Sequence, residues 1–167
     1  MTLSLLDRSD ETGPLDRPER RDQPPGDRPG PEPQPASSAH PAVAPAHVPR
    51  VLVVDDTSSI RTELRHLLED AGLDVVGEGS HGAEGVMLAR ELRPDVVVMD
   101  VRMPILDGIA ATGYITRELP GTRVIVFSAF DDRELEAAAR AAGASGFLTK
   151  GTSVAAIAAA VRDASTG

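Results

Sequence analysis

From Arg50 onward, short apolar runs of β-like composition alternate with segments whose apolar residues recur at helical spacing, and nothing else in the chain narrows its fold as far. Such alternation implies βαβ units and an α/β fold with a parallel sheet. Strands are expected at 51–55, 74–78, 96–100, 123–128 and 146–149, and helices at about 58–70, 82–92, 107–118, 131–142 and from 153 onward. Ile60, Leu64, Leu67 and Leu68 share one face of the first helix, which Ala71-Gly72 ends. Pro94 and Pro120-Gly121 separate later elements, Asp131-Asp132 open the fourth helix, and Gly143 stops it. In the fifth helix Val154, Ile157, Ala158 and Val161 have core spacing. Strands that are apolar throughout must be buried on both faces, so helices cover both sides through right-handed crossovers. In open sheets of this kind, ligands bind beyond the carboxyl ends of the strands.

Polar residues stand at those ends. Asp55 and Asp56 follow Val51-Leu52-Val53-Val54, Asp100 follows Val96-Val97-Val98-Met99, and Ser128 follows Val124-Ile125-Val126-Phe127. Lys150, the only lysine among 17 basic residues, closes the apolar stretch Gly146-Phe147-Leu148-Thr149. Each residue alone has an ordinary explanation, as a helix cap, a strand-end polar group or a surface cation. Together they form a set. Three carboxylates repel one another, and a divalent cation is the simplest way to hold them close at neutral pH. Magnesium suits such a site, since it takes one or two carboxylates, keeps waters and completes its shell with phosphate oxygens. Lys150 adds a compact cation and Ser128 a hydroxyl donor, both fitted to phosphoryl oxygens. A carboxylate nucleophile, a metal, a cation and a donor are what phosphoryl transfer requires.

Composition bounds the remaining classes. With 167 residues the chain holds one folded unit of ordinary size and a tail. Eleven of the 14 prolines precede Arg50, so residues 1–49 read as a disordered Pro-rich tail. Pro31-Glu32-Pro33-Gln34-Pro35 offers a motif for a proline-binding domain, and Leu3, Leu5 and Leu6 a brief contact motif, but a linker is the favoured reading. The absence of cysteine excludes disulfides and thiolate metal sites. Met1–Asp10 lacks the basic and long apolar regions of a secretory signal, and no run approaches a membrane span, so a cytoplasmic location is expected. A net charge of -9 and only three Phe and one Tyr argue against direct nucleic-acid binding. Helices four and five are rich in alanine, read as helix propensity on small-residue packing faces. None of the four histidines has metal-ligand spacing, and all read as solvated.

These motifs resemble the receiver domain of two-component response regulators across residues 50 to about 163, with 164–167 as a short tail. The resemblance rests on Val53-Val54-Asp55-Asp56, Met99-Asp100-Val101-Arg102-Met103-Pro104 with Asp107-Gly108, Ser128-Ala129, and Gly143-Ala144-Ser145-Gly146-Phe147-Leu148-Thr149-Lys150. It implies a flavodoxin-like, doubly wound sheet of five strands in the order 2-1-3-4-5 with five helices. It further implies that Asp100 accepts a phosphoryl group from a histidine kinase or phosphotransfer protein, with Lys150 and Ser128 assisting. Asp56 and Asp100 would bind Mg2+ directly, Asp55 through water, and the backbone carbonyl of Arg102 would complete the protein ligands. The chain would be a partial enzyme, limited to self-catalysed phosphoryl transfer and autodephosphorylation, with Arg102 and Phe130 flanking the approach of the attacking water.

In such receivers Ser128 and Phe147 correspond to a switch pair that alters the face formed by helix four, strand five and helix five, a face that could also mediate a homodimer or heterodimer. Gly151 stands where many receivers carry proline after the lysine. The stretch ending in Lys150 most resembles receivers that precede a helix-turn-helix domain, and none follows Gly167, so the output is expected to be borrowed from a partner or lost. The alternative is a remnant of a DNA-binding regulator that acts as a phosphorylation-independent binding or decoy module. An aspartate-nucleophile phosphatase of the haloacid-dehalogenase type is disfavoured, because Thr57 stands where its second aspartate would be required.

Overall fold

The computed structural model describes residues 47–167, so the readings of a disordered tail, its proline and leucine motifs and His40 lie outside the described residues up to position 46. Within the described residues, strands and helices alternate as β1 (Arg50–Val54), α1 (Ser58–Asp70), β2 (Asp74–Gly79), α2 (Gly82–Leu92), β3 (Val96–Asp100), α3 (Gly108–Glu118), β4 (Arg123–Ser128), α4 (Arg133–Ala141), β5 (Gly146–Thr149) and α5 (Val154–Thr166). The strands pair in parallel in the order β2-β1-β3-β4-β5, the flavodoxin-like arrangement.

Alternate strand residues feed two cores, because successive side chains point to opposite faces. Val51, Val53, Val96, Val98, Ile125 and Phe127 face Leu64 and Leu68 of α1 and Ile157 and Val161 of α5. Leu52, Val54, Val97, Met99 and Val124 face Val86 and Ala89 of α2 and Ala111 and Ile115 of α3. A smaller third cluster joins Val101, Val126 and Ala139, with Leu135 and Phe147 partly buried against it. Ala139 is the one buried residue of α4. Of the alanines of α4 and α5, Ala139 and Ala158 are buried, while Ala137, Ala138, Ala155 and Ala156 are exposed. Most therefore serve helix propensity and not the packing faces expected of them.

Element ends depart from the sequence expectation where a cap is made. Asp107 precedes α3 and accepts a hydrogen bond from the Ala110 N–H at 2.9 Å. Asp132, not Asp131, caps α4 by accepting from Glu134 N–H at 2.8 Å. His81 is not simply solvated: its Nδ1 accepts from Glu84 N–H at 3.1 Å as the N-cap of α2, and Glu84 in turn accepts from Ser80 N–H at 2.7 Å and Ser80 Oγ at 2.6 Å. These bonds satisfy donors that a helix start leaves open. Burial desolvates Glu84 slightly, but the two Ser80 bonds dominate and lower its pKa. His47 is exposed yet lies 2.9 Å from Asp95 Oδ2, and buried Pro49 accepts from Asp74 N–H at 3.0 Å, so the last residues before β1 are tied to the fold. At the other end α5 continues to Thr166, with Ala164 partly buried against the core.

Strand register levels the carboxyl ends. Val54 lies opposite Met99, Asp100 opposite Phe127, and Ser128 opposite Thr149. The residues that follow or end these strands therefore meet at one edge.

Candidate functional site

Asp55 continues the line of β1 and is almost fully buried, with its N–H donating to Gly79 O at 3.1 Å. Its carboxylate accepts from the Thr57 N–H at 2.9 Å and from Lys150 Nζ at 2.7 Å. The first of these bonds closes a turn ahead of α1 and does not cap the helix, whose N-cap is Thr57 without a side-chain capping bond, while the other oxygen faces the lysine. Asp100, the last residue of β3, is also buried, and its Oδ1 lies 2.9 Å from Lys150 Nζ. Asp56 is exposed, and its Oδ1 accepts from Thr57 Oγ1 at 3.1 Å. Carboxylate oxygens of Asp55, Asp56 and Asp100 all lie within 4.8 Å of one another.

One ammonium thus serves two carboxylates, with a third close by. Burial pushes the Asp100 carboxyl above its ordinary pKa, its bond to Lys150 opposes this, and the charges of Asp55 and Asp56 push it further up. Lys150 is pulled down by burial, but bonds to Asp55 and Asp100 outweigh this and raise its pKa overall. The two directions are compatible. Lys150 gains from two partners, whereas Asp100 shares one cation with a nearby aspartate and remains under-compensated. Hard oxygen donors, close spacing and uncompensated negative charge fit a divalent cation such as Mg2+.

Ser128 ends β4 fully buried, and its Oγ accepts from Phe130 N–H at 3.1 Å. The Lys150 N–H donates to Ser128 O at 2.7 Å, extending the β4–β5 ladder to the lysine. Arg102 is exposed, with its guanidinium 4.9 Å from the centroid of the exposed Phe130 ring, a cation–π pair between the β3–α3 and β4–α4 loops. Phe147 does not join the polar group. It sits opposite Val126 on β5, half-buried in the third cluster. The structure thus brings Asp55, Asp56, Asp100 and Lys150 together, places Ser128 at the neighbouring strand end, and leaves Phe147 among apolar residues.

Two supporting residues went unread in the sequence. Arg61 donates from Nη1 to the Asp55 carbonyl at 2.6 Å. A cation near the N-terminal end of a helix works against the helix dipole, and that was the available signal that it has another task. Gly108 packs so closely under β3 that a Cβ there would stand 1.8 Å from the Asp100 carbonyl oxygen. Its N–H donates to Val101 O at 2.9 Å. Gly108 was quoted as part of a motif, but the contact that requires glycine is visible only in three dimensions.

Comparison with known proteins agrees with this geometry. The response regulator receiver domain matches residues 51–162. The transcriptional regulatory protein LiaR of Bacillus subtilis is 44% identical over 119 residues, covering 71% of this chain and 56% of LiaR. The chain spans about half the length of the curated relatives it matches. The receiver domain of the response regulator NarL from Mycobacterium tuberculosis is 36% identical with a TM-score of 0.69, covering 72% of this chain and 98% of that one. CheY in the CheX–CheY–BeF3–Mg2+ complex of Borrelia burgdorferi is 27% identical with a TM-score of 0.65, covering 68% and 87%.

Proposed function

This chain belongs to the response regulator receiver family, and from that premise we propose that Asp100 accepts a phosphoryl group from the phosphohistidine of a histidine kinase or phosphotransfer protein. The observation that carries the reading is the single ammonium of Lys150 lying 2.7 Å from Asp55 and 2.9 Å from Asp100. An Asp100 carboxylate oxygen attacks phosphorus in line, the phosphorus–nitrogen bond breaks, and the imidazole leaves with its electron pair. Lys150 moves its donors toward the phosphoryl oxygens as negative charge collects there. Ser128 exchanges its bond with Phe130 N–H for donation to another of those oxygens. In the reverse sense, water attacks the acyl phosphate and Asp100 departs as carboxylate, so the chain ends its own signal. Arg102 and Phe130 border the path of that water.

Asp55, Asp56 and Asp100, with the backbone carbonyl of Arg102, are the residues that would hold Mg2+. When bound there, the ion would supply positive charge to offset that of the phosphoryl group. Support comes from the three carboxylates within 4.8 Å, the raised pKa of Asp100 and the Mg2+ named in the CheX–CheY complex.

The new charge then biases a conformational equilibrium. Ser128 moves toward the phosphoryl group and Phe147 turns further inward, altering the face of α4, β5 and α5 for a partner or a second copy. Phe147 lies beside Ala139, the sole buried anchor of α4, so its rearrangement reaches the helix directly. No helix among the described residues is long and apolar enough to cross a membrane. The overall charge of -9 favours protein partners over nucleic acid, and the cytoplasm is the compartment proposed.

Intact mass after incubation with acetyl phosphate and Mg2+ tests the chemistry. One phosphoryl group is expected on the unaltered chain, and none with EDTA or with Asp100→Asn. An adduct that survives either control, or no adduct even with a phosphorylated kinase, would sink the assignment.

A further inference from the structure

Asp56 contributes to the carboxylate cluster from an exposed position, where its carboxylate accepts from the neighbouring Thr57 Oγ1 at 3.1 Å. Its direction depends on the peptide plane between residues 55 and 56, since the Asp55 carbonyl and the Asp56 N–H rotate together. That plane is pinned from one side: Arg61 Nη1 donates to the Asp55 carbonyl at 2.6 Å, and Arg61 Nε lies 3.7 Å from Glu78 Oε2 on β2. The Arg61 side chain is only 18% exposed, and its N–H donates to Thr57 O at 3.1 Å. The guanidinium therefore ties the β1–α1 turn to β2. We infer that Arg61 is a positioning residue for Asp56, holding the 55–56 peptide in the orientation that presents both aspartates to a divalent cation. This rests on the reading of the carboxylates as a Mg2+ site.

Charge and geometry predict opposite outcomes here, which makes the inference decidable. A cation near the carboxylates repels Mg2+, so loss of its charge alone should tighten binding. Loss of its positioning should weaken binding, and groups that orient metal ligands typically contribute about 10–100-fold in affinity. Mg2+ affinity of the full chain is measured by titration calorimetry for the unaltered protein, Arg61→Met, Arg61→Lys and Arg65→Met. Arg65 is a suitable control: one turn along α1, it faces Glu78 at 3.0 Å without hydrogen-bond alignment and donates to Val75 O at 3.2 Å, with no bond to Asp55. The expected result is weakening of about tenfold or more in Arg61→Met, part recovery in Arg61→Lys, and less than about twofold change in Arg65→Met. Amide NMR shifts of Asp56 in EDTA should move in Arg61→Met and stay in place in Arg65→Met. Unchanged or tighter Mg2+ binding by a folded Arg61→Met chain overturns the positioning role while leaving the metal site intact. If the unaltered chain takes no Mg2+, the functional reading fails first and the inference with it.

Discussion

Every residue of β3 is buried, whereas every residue of β5 remains partly exposed. The helices beside them differ likewise: α3 buries Gly108, Ala111, Thr112 and Ile115, and α4 buries Ala139 alone. Asp100 ends the well-packed strand, and Lys150 follows the loosely packed one. A nucleophile that must be met in line within a fraction of an ångström benefits from a rigid support. A segment that must change its surface on a new charge benefits from having few apolar contacts to break. The contrast places the proposed chemistry on the interior strands and the proposed response at the sheet edge.

The contrast can be broken at the bond that joins the two regions. Lys150→Met should slow phosphoryl uptake by about 10²–10³-fold, about 3–4 kcal/mol of barrier, as loss of a preorganised donor does elsewhere. Mass spectra taken over time with acetyl phosphate would show it, and a rate within tenfold of the unaltered chain would deny Lys150 its role. Next in size are the glycines. Gly108→Ala drives a Cβ into the Asp100 carbonyl and should cost at least about 3 kcal/mol, while Gly151→Ala meets open space and should stay within about 0.5 kcal/mol. Urea unfolding followed by circular dichroism measures both.

Core truncation sharpens the same comparison. Leu52→Ala removes a fully buried side chain and should cost about 3 kcal/mol, against about 1–2 kcal/mol for the partly buried Leu148 of β5. Equal losses would mean that burial misrepresents the two strands. The smallest expected effect is a gain. Because burial raises the pKa of Asp100 in the folded chain, the native state binds its proton more readily than the unfolded state, and stability falls as pH rises from the ordinary carboxylate pKa through the raised one. At neutral pH in EDTA, Asp100→Asn should therefore stabilise the fold and raise its Tm. The difference should shrink below the ordinary carboxylate pKa, and calorimetry at two pH values would reveal it.

The strand ends were legible in the sequence because burial on both faces demands unbroken apolar runs, and any charge that follows one stands out. The lone lysine among arginines was equally visible. Supporting contacts were not. Arg61 acts on a backbone carbonyl, and its other neighbour, Glu78, comes from a strand whose register no local spacing reveals. His81 escaped notice as a cap because histidine is not among the residues that usually fill that position. The stacking of Arg102 on Phe130 at 4.9 Å depends on how two loops meet, which neither residue's position in the sequence reveals. Phe147 enters through the family resemblance alone, while its place against Ala139 of α4 follows from the edge position of β5.

The solitary lysine has a consequence for anyone handling the protein. An amine-acylating reagent finds one ε-amine in the whole chain, and that amine is engaged with two carboxylates at the sheet edge. A single mass increment, separable from the N-terminal amine by peptide mapping, then reports one location without mutation or isotope. Acylation proceeds only when the ammonium leaves its partners and sheds a proton, so its rate is a built-in gauge of how firmly the edge is closed.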